Sequence, residues 1–398
     1  MSLCDECYSK AVEVLKNNIT KYGFKASYEF YNSVWARDGS ITVLGVLGLN
    51  DEELTKACKT TLEMLGRLQS KLGQIPNAIF LDANTVSWYA VDATAWWLIA
   101  CKAYLDCTKD EKFLKEYWDR MKKAYTWLSY RDVANCGLIS SPEAGDWMDS
   151  SVQRCNLVFY VNCLWYKASL EVKNLAYELG EVIDARPDLI KDRMNSLFWP
   201  ERFEDASVVL SGMTTYKEFF PIYLNPFRMH YLNYLSYERA EDRCDVLANC
   251  LAILWDIADE SKGQKITKYF FDKSLSEPYP IKVLNPPIFE GTYTWKPVVD
   301  MYRPVEWQNR PFCYHNAGIW PFVGGFYVMS LVKAGKRAMA EKELLKLAEA
   351  NKLSKNGREW GFNEWLHGAS GKPMGAELQS WSAACYVWAY SVVKAGFR

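Results

Sequence analysis

Apolar residues recur at every third or fourth position along almost every long segment of the chain, which is the spacing of helices with a buried face. The first predicted helix, about 2–21, lines up Ala11, Val14, Leu15 and Ile19 and stops near Gly23. Others follow over about 39–48, 51–68, 88–107, 110–132, 152–180, 183–197, 246–259, 262–274, 316–334, 337–352 and 376–396. Two of them open on acids, Asp51-Glu-Glu and Asp110-Glu111, which suit the positive end of a helix dipole. Between helices lie Ser27 to Asp38, a loop carrying Tyr28, Phe30, Tyr31 and Trp35, and Gly73-Gln-Ile-Pro-Asn77, marked by its glycine and proline. Residues 199–246 lose the helical period and read as loops with short strands, Ser207 to Leu210 and Tyr231 to Leu235. The Pro-, Tyr- and Trp-rich stretch 276–315 reads as a long surface or active-site connection.

The helices alternate in character. Those over 88–107, 154–170, 316–334 and 378–395 are apolar and aromatic nearly all round; those over 110–132, 183–197 and 337–352 carry a charged face. A helix apolar on every side is buried, and one with a polar stripe lies outside. Alternating inner and outer helices is what a double ring requires. The expected fold is therefore all-α, an (α/α)6 toroid with long loops and some short strands at its active-site face. An irregular helical bundle accounts for the helices, but not for polar-aromatic motifs clustered where the inner ones start. With no Gly/Ser linker, low-complexity run or charge block, residues 1–398 are expected to form a single domain.

Composition narrows the function. A 398-residue chain that is 49% hydrophobic has ample material for a core. Its net charge of −1 gives no reason to expect nucleic acid or an anionic membrane as partner. The aromatic content is high, with 17 Trp and 25 Tyr, and suits sugar rings stacked on flat side chains. No apolar run reaches the roughly 18 residues of a membrane span, and the first residues lack the basic-then-apolar pattern of a signal peptide. Several of the 12 cysteines, Cys101, Cys163, Cys250 and Cys385, fall inside apolar helical patterns and behave as small hydrophobes, which suits a reducing cytoplasm. Cys4 and Cys7 form a lone CxxC beside only three histidines in the chain, so no metal and no cofactor are expected. The expected partner is a carbohydrate substrate.

Candidate chemistry sits in five clusters. The densest, Ser141-Pro-Glu-Ala-Gly-Asp-Trp-Met-Asp-Ser-Ser151, sets Glu143, Asp146 and Asp149 around Trp147. A carboxyl beside apolar surface is poorly solvated as an anion, so its pKa rises toward that of a working general acid. The competing reading is that Asp149 or Ser150 merely caps the next helix. Adjacent Arg37 and Asp38, beside Trp35, offer a forked donor and an acceptor for neighbouring hydroxyls, or else an ordinary helix-start ion pair. Asp92 interrupts a strongly apolar helix start, where an acid must be paired or functional. In the fourth cluster His315 lies between Tyr314 and Trp320; in the fifth Glu364 adjoins Trp365, with Trp381 shortly after.

Taken in order, these clusters resemble the amylo-α-1,6-glucosidase domain of glycogen debranching enzymes and related (α/α)6 glycosidases, including neutral invertases and processing α-glucosidases. Trp35-Ala-Arg-Asp38 is similar to the family's Trp-x-Arg-Asp, and Ile75-Pro-Asn77 and Val91-Asp-Ala93 to its next two motifs. Trp147-Met-Asp149 followed by Asn162-Cys-Leu-Trp-Tyr166, then Tyr314-His-Asn-Ala-Gly-Ile-Trp-Pro321 and Ser380-Trp-Ser382, continue the likeness from about residue 30 to the C-terminus. The resemblance implies hydrolysis with inversion, Asp149 protonating the glycosidic oxygen and Glu364 activating a water. It implies that Trp35, Arg37, Asp38 and Asp92 hold the reacting sugar, that His315, Trp320 and Trp381 form a wall, and that Glu143 supports. Asp146 is the rival acid. His367 stands where the family has an acid, and Ala317 is expected to lengthen or shift the Tyr-His-Asn-Gly turn; both bear on substrate identity. Without the large extra domains of debranching enzymes, a small α-glucoside is the expected substrate. An invertase-like sucrose hydrolase and an inactive carbohydrate-binding protein are the alternatives. Phosphorolysis would call for a basic nest opposite Asp149, which the sequence does not show.

Overall fold

A computed structural model describes residues 2–149, 154–201, 225–236, 239–292, 294–295 and 310–397. Among these residues the chain forms twelve α-helices. In chain order they are α1 (Leu3–Asn17), α2 (Ala36–Val46), α3 (Glu52–Arg67), α4 (Asp92–Thr108), α5 (Glu111–Ser129), α6 (Phe159–Glu178), α7 (Pro187–Phe198), α8 (Val246–Leu254), α9 (Glu260–Asp272), α10 (Pro321–Lys333), α11 (Arg337–Lys352) and α12 (Ser380–Ala395). The even-numbered helices pack each on the next, and α12 returns to α2, closing an inner ring. The odd-numbered helices lie against them from outside, α1 on α12, α3 on α2 and so on. This is the (α/α)6 toroid.

Sequence explains who goes where. In α10 every residue from Pro321 to Leu331 is buried, whereas α3 buries Leu54, Ala57, Cys58, Thr61, Leu62 and Leu65 along one stripe. The ring closes tightly because glycine faces α12 from both neighbours. A Cβ on Gly45 of α2 would lie 2.4 Å from the Ala384 carbonyl, and one on Gly325 of α10 would lie 2.6 Å from that of Cys385. Side-chain caps start several helices, Ser2, Asp51, Asp110, Asp245 and Asp259 each accepting a backbone N–H.

Short antiparallel strands shift the predicted boundaries. α1 stops at Asn17 because β1 (Ile19–Thr20) and β2 (Gly23–Phe24) form a hairpin after it. β3 (Ser33–Trp35), β4 (Ala78–Phe80) and β5 (Thr85–Ser87) form one sheet ahead of α2 and α4. β6 (Leu157–Val158), β7 (Tyr234–Leu235) and β8 (Ala240–Glu241) form another ahead of α6. β9 (Cys244–Asp245) pairs with β10 (Leu284–Asn285), and β11 (Trp365–Leu366) with β12 (Pro373–Met374). These ladders delay α4, α6 and α12 relative to their periodic stretches, while Pro321, with no N–H to give, fixes the start of α10. Conversely α2 begins early enough to take Arg37 and Asp38 into its first turn. Of the two strands expected within 199–246, Tyr234–Leu235 forms, and Ser207 to Leu210 lies outside the described residues. No described helix is long and apolar enough to cross a membrane.

Candidate active site

The acid loop leaves and returns at one point. Ser141 and Asn156 exchange backbone hydrogen bonds of 2.8 and 2.7 Å, and the Val91 N–H at the start of α4 donates to the Gly145 carbonyl at 2.7 Å. Asp149 does not cap α6, which starts at Phe159 behind Val158 with no side-chain cap. Asp146 accepts from Arg154 at 2.6–3.2 Å through both oxygens and from the Met148 N–H at 2.8 Å. Arg154 continues to Asp245, the N-cap of α8, at 2.6 Å. Asp146 and Arg154 are both buried, so the rival acid is enclosed in an ion-pair relay that ties the loop to the ring. Glu143 lies half-buried on the same loop.

Arg37 reaches across to Asp92. Its Nη1 donates to both oxygens of Asp92, at 3.0 and 2.8 Å, and its Nη2 stands 3.7 Å from Asp149. Asp92 is wholly buried and also accepts from the Tyr160 hydroxyl at 3.1 Å, which accepts from Trp96 Nε1 at 2.8 Å. One guanidinium thus couples α2, α4 and the acid loop.

Glu364 approaches from the hairpin β11–β12. Its backbone pairs with Ala376, its Oε2 accepts the Ala376 N–H at 2.9 Å, and its Oε1 accepts from the Tyr31 hydroxyl at 3.3 Å. Burial lifts its pKa from 4.5 to about 7 against the pull of these two donors, and the charge of Asp149 adds to the rise. Enclosure likewise raises Asp149 to about 6 against Arg37, with Asp146 and Asp92 pushing the same way. Yet the Asp149 side chain keeps 36% of its exposure: protein surrounds it, and water reaches it from the open side. Asp38, the third carboxyl, is lifted to about 7 by burial, opposed by Arg37 and reinforced by Glu364 and Asp149.

An aromatic block backs these acids. Trp147 meets His315, Trp320 and Phe322 edge-on, with centroids 5.0, 5.5 and 5.4 Å away. His315 stacks on Trp320 at 5.1 Å, and Trp381 on Phe322 at 4.0 Å. Burial, then the charges of Arg154 and Arg37, hold His315 well below its usual pKa, so it is a neutral ring. Tyr314 adopts φ +48°, packed against His315 at 4.2 Å and Trp365 at 5.8 Å. The departure at Ala317 is absorbed locally. That residue takes φ +67°, the conformation glycine adopts freely, while the Asn316 amide brackets Ile288 at 2.6 and 2.8 Å. His367 sits beyond β11, its Nδ1 accepting from the N–H groups of Ala369 and Ser370. Trp35 stands at the rim, edge-on to Tyr31 and Phe80.

The structure therefore brings Arg37, Asp38, Asp92, Asp146, Asp149 and Glu364 into one charge network over a floor of Trp147, His315, Trp320 and Trp381. Sequence reasoning passed over Tyr31, Tyr160, Arg154 and Tyr314. Tyr31 belongs to the aromatic loop before α2 and Tyr314 to the Tyr-His-Asn turn, but nothing local marks the partners of Arg154. Among the described residues, no group of three or more His, Cys, Asp or Glu is placed to hold a metal ion.

A double helical ring with acids gathered at one mouth, above an aromatic floor, defines a class, the (α/α)6 glycoside hydrolases. Within it, the chain belongs to the amylo-alpha-1,6-glucosidase family, which it matches over residues 9–387. Solved structures share the fold at low identity. An uncharacterized conserved protein from Thermus thermophilus is 14% identical with a TM-score of 0.68, covering 96% of this chain and 99% of that one. A GH63 mannosylglycerate hydrolase from the same organism, in complex with glucose, is 14% identical with a TM-score of 0.67 and the same coverage. A GH78 family rhamnosidase of Bacillus sp. GL1 is 16% identical with a TM-score of 0.64, covering 98% of this chain and 34% of that one. No curated protein sequence matches.

Proposed function

We propose that the protein hydrolyses a small α-glucoside with inversion, Asp149 as general acid and Glu364 as general base. The observation that carries this is the pair itself: two carboxyls, one from the acid loop and one from beside the β11–β12 hairpin, near enough for the charge of Asp149 to act on Glu364, each lifted toward neutrality, and one open to water. Inversion calls for about 6.5–9.5 Å between such carboxyls, so that a water fits beside the sugar. Asp38, Trp35 and Glu143 hold the reacting sugar. Asp92 and Asp146, enclosed by Arg37 and Arg154, act through those arginines, and Trp147, His315, Trp320 and Trp381 form the floor. A bound sugar displaces water from Asp149 and strengthens its hold on its proton, while the Tyr31 and Ala376 donors keep Glu364 available as a base.

One observation favours a second reading with the two roles exchanged. The Arg37 guanidinium, 3.7 Å away, favours an anionic Asp149, whereas the two groups that donate to Glu364, the Tyr31 hydroxyl and the Ala376 N–H, are neutral. α-Glucosyl fluoride separates the readings, because fluoride leaves without protonation. With Asp149 as acid, Asp149→Asn loses about 10²–10⁴-fold on disaccharides but far less on the fluoride; Glu364→Gln loses both. Equal loss on both substrates in Asp149→Asn exchanges the roles. β-Glucose as first product, seen by NMR, is the expected sign of inversion, and α-glucose would sink it. The panel includes sucrose, maltose, isomaltose and mannosylglycerate, the last because a structural neighbour is described as its hydrolase. Cleavage of sucrose alone returns the invertase reading, and cleavage of nothing returns a binding protein.

A further inference from the structure

Away from the mouth, on the outer wall of the toroid, a cavity of about 390 Å³ lies between α5 and α7, over Trp165 of α6. The turn after α5 bridges to α7. Asp132 accepts the N–H groups of Cys136 and Gly137 at 2.9 and 2.7 Å, and a Cβ on Gly137 would lie 3.4 Å from Leu189. Tyr125 stacks on Trp165 with centroids 5.0 Å apart, so two rings join Leu189 and Ile190 as apolar walls. The volume is that of a small-molecule pocket. None of the lining residues belongs to the catalytic mouth.

Most polar groups of this cavity are already engaged. Trp165 Nε1 donates to the Gly137 carbonyl at 3.1 Å, and the Tyr125 hydroxyl to the Asp184 carbonyl at 3.2 Å. Arg186 holds both carboxylate oxygens of Asp184, at 2.8 and 3.2 Å. Arg193 is different. Its Nε is buried without a partner, and among the described residues its guanidinium makes no hydrogen bond and no ion pair. Arg37 and Arg243 also have an unpartnered buried Nε, but each grips a carboxylate through Nη1, at 2.8 and 2.9 Å. The Arg193 charge is felt inside the cavity: burial raises the pKa of the Cys136 thiol, and Arg193 opposes that rise. A buried donor with no partner is costly, and it calls for an acceptor from outside the chain.

We propose that this cavity binds a small organic oxyanion, a carboxylate or a phosphomonoester. Two of its oxygens take the planar fork of Arg193, and its apolar body lies against Leu189, Ile190 and the Tyr125 and Trp165 rings. The site is independent of the catalytic reading, because its ligand touches none of the acids at the mouth.

Calorimetric titration of the whole chain at fixed ionic strength tests it, with phenyl phosphate, benzoate, inorganic phosphate and benzyl alcohol as probes. Phenyl phosphate or benzoate is expected to bind about tenfold tighter than both benzyl alcohol and inorganic phosphate, and the tighter of the two identifies the oxyanion. Arg193→Gln should remove that advantage and Arg193→Lys keep part of it, with the melting temperature of either protein unchanged. Excess glucose should displace neither probe. Benzyl alcohol bound as tightly as the anions would mean that water satisfies Arg193, and inorganic phosphate bound as tightly as phenyl phosphate would mean that the apolar walls recognise nothing; either overturns the proposal. So does an affinity that survives Arg193→Gln, displacement by glucose, or no heat of binding from any probe.

Discussion

Glu364 is buried and lifted to about 7, and among the described residues the Ala376 N–H and the Tyr31 hydroxyl, then the charge of Lys355, favour its charged form. A hydroxyl donating to a carboxylate stabilises the anion and lowers its pKa. Tyr31→Phe should therefore push Glu364 higher. The acidic limb of kcat/KM is expected to move up by about half a unit or more, and kcat to fall about tenfold. An unmoved limb would show that Tyr31 merely fills space. Its role was illegible in the sequence because its partner lies 333 positions away. Asp149 and Glu364 were legible for the opposite reason: each is an acid set close to a tryptophan in a loop, an arrangement hydrophobic patterning alone does not produce. Arg154 had no such mark, since both its carboxylates meet it only in the folded ring.

At the scale of elements, the β11–β12 hairpin aims the base, and one glycine decides how well. Gly375 has φ +66°, and a Cβ there would lie 2.5 Å from Glu364 Oε2 and 2.6 Å from the Trp365 ring. Gly375→Ala is expected to displace the carboxylate and lower kcat about 10²-fold, since a shift near 1 Å at a reacting group costs that much. Gly357 is the control. It shares the left-handed backbone, φ +74°, but an added Cβ there meets nothing. Gly357→Ala should cost about 1 kcal/mol of stability in denaturant and leave turnover intact. Equal kinetic loss in both variants would mean that strain, and not displacement of the base, is responsible. Helices and strands differed in legibility for a physical reason. A helix of three turns or more repeats its buried positions several times, so the period shows. Strands of two or three residues, such as β6 and β11, have no room to alternate, and only their displacement of helix starts betrays them.

On the scale of the whole molecule, ring closure gathers carboxyls from α2, the acid loop and the β11–β12 hairpin into one mouth, and their burial there, to which their mutual repulsion adds, opposes folding at neutral pH. Asp38 shows it most plainly, with a pKa raised from 3.8 to about 7. A carboxyl whose folded pKa exceeds its unfolded one binds more protons when folded, so stability falls as pH rises between the two values, here from about 4 to about 7. Asp110 works in the other direction. Its pKa is lowered to about 2 by Lys59, the Phe113 N–H and Tyr104 despite the opposing effect of burial, so its contribution is present above 3.8 and lost as pH falls toward 2. Comparing wild type with Asp38→Asn isolates the first effect, since Asp110 is common to both. In urea titrations the variant should be more stable at pH 8, by about 2 kcal/mol, and most of that gain should be gone at pH 4, where the wild-type acid is neutral when folded and about half protonated when unfolded. Activity should be lost at either pH if Asp38 holds the reacting sugar. A variant no more stable at pH 8 than the wild type would mean that Asp38 is solvated or paired better than its burial between Glu364 and Asp149 implies. The crowding would then belong to the catalytic pair alone.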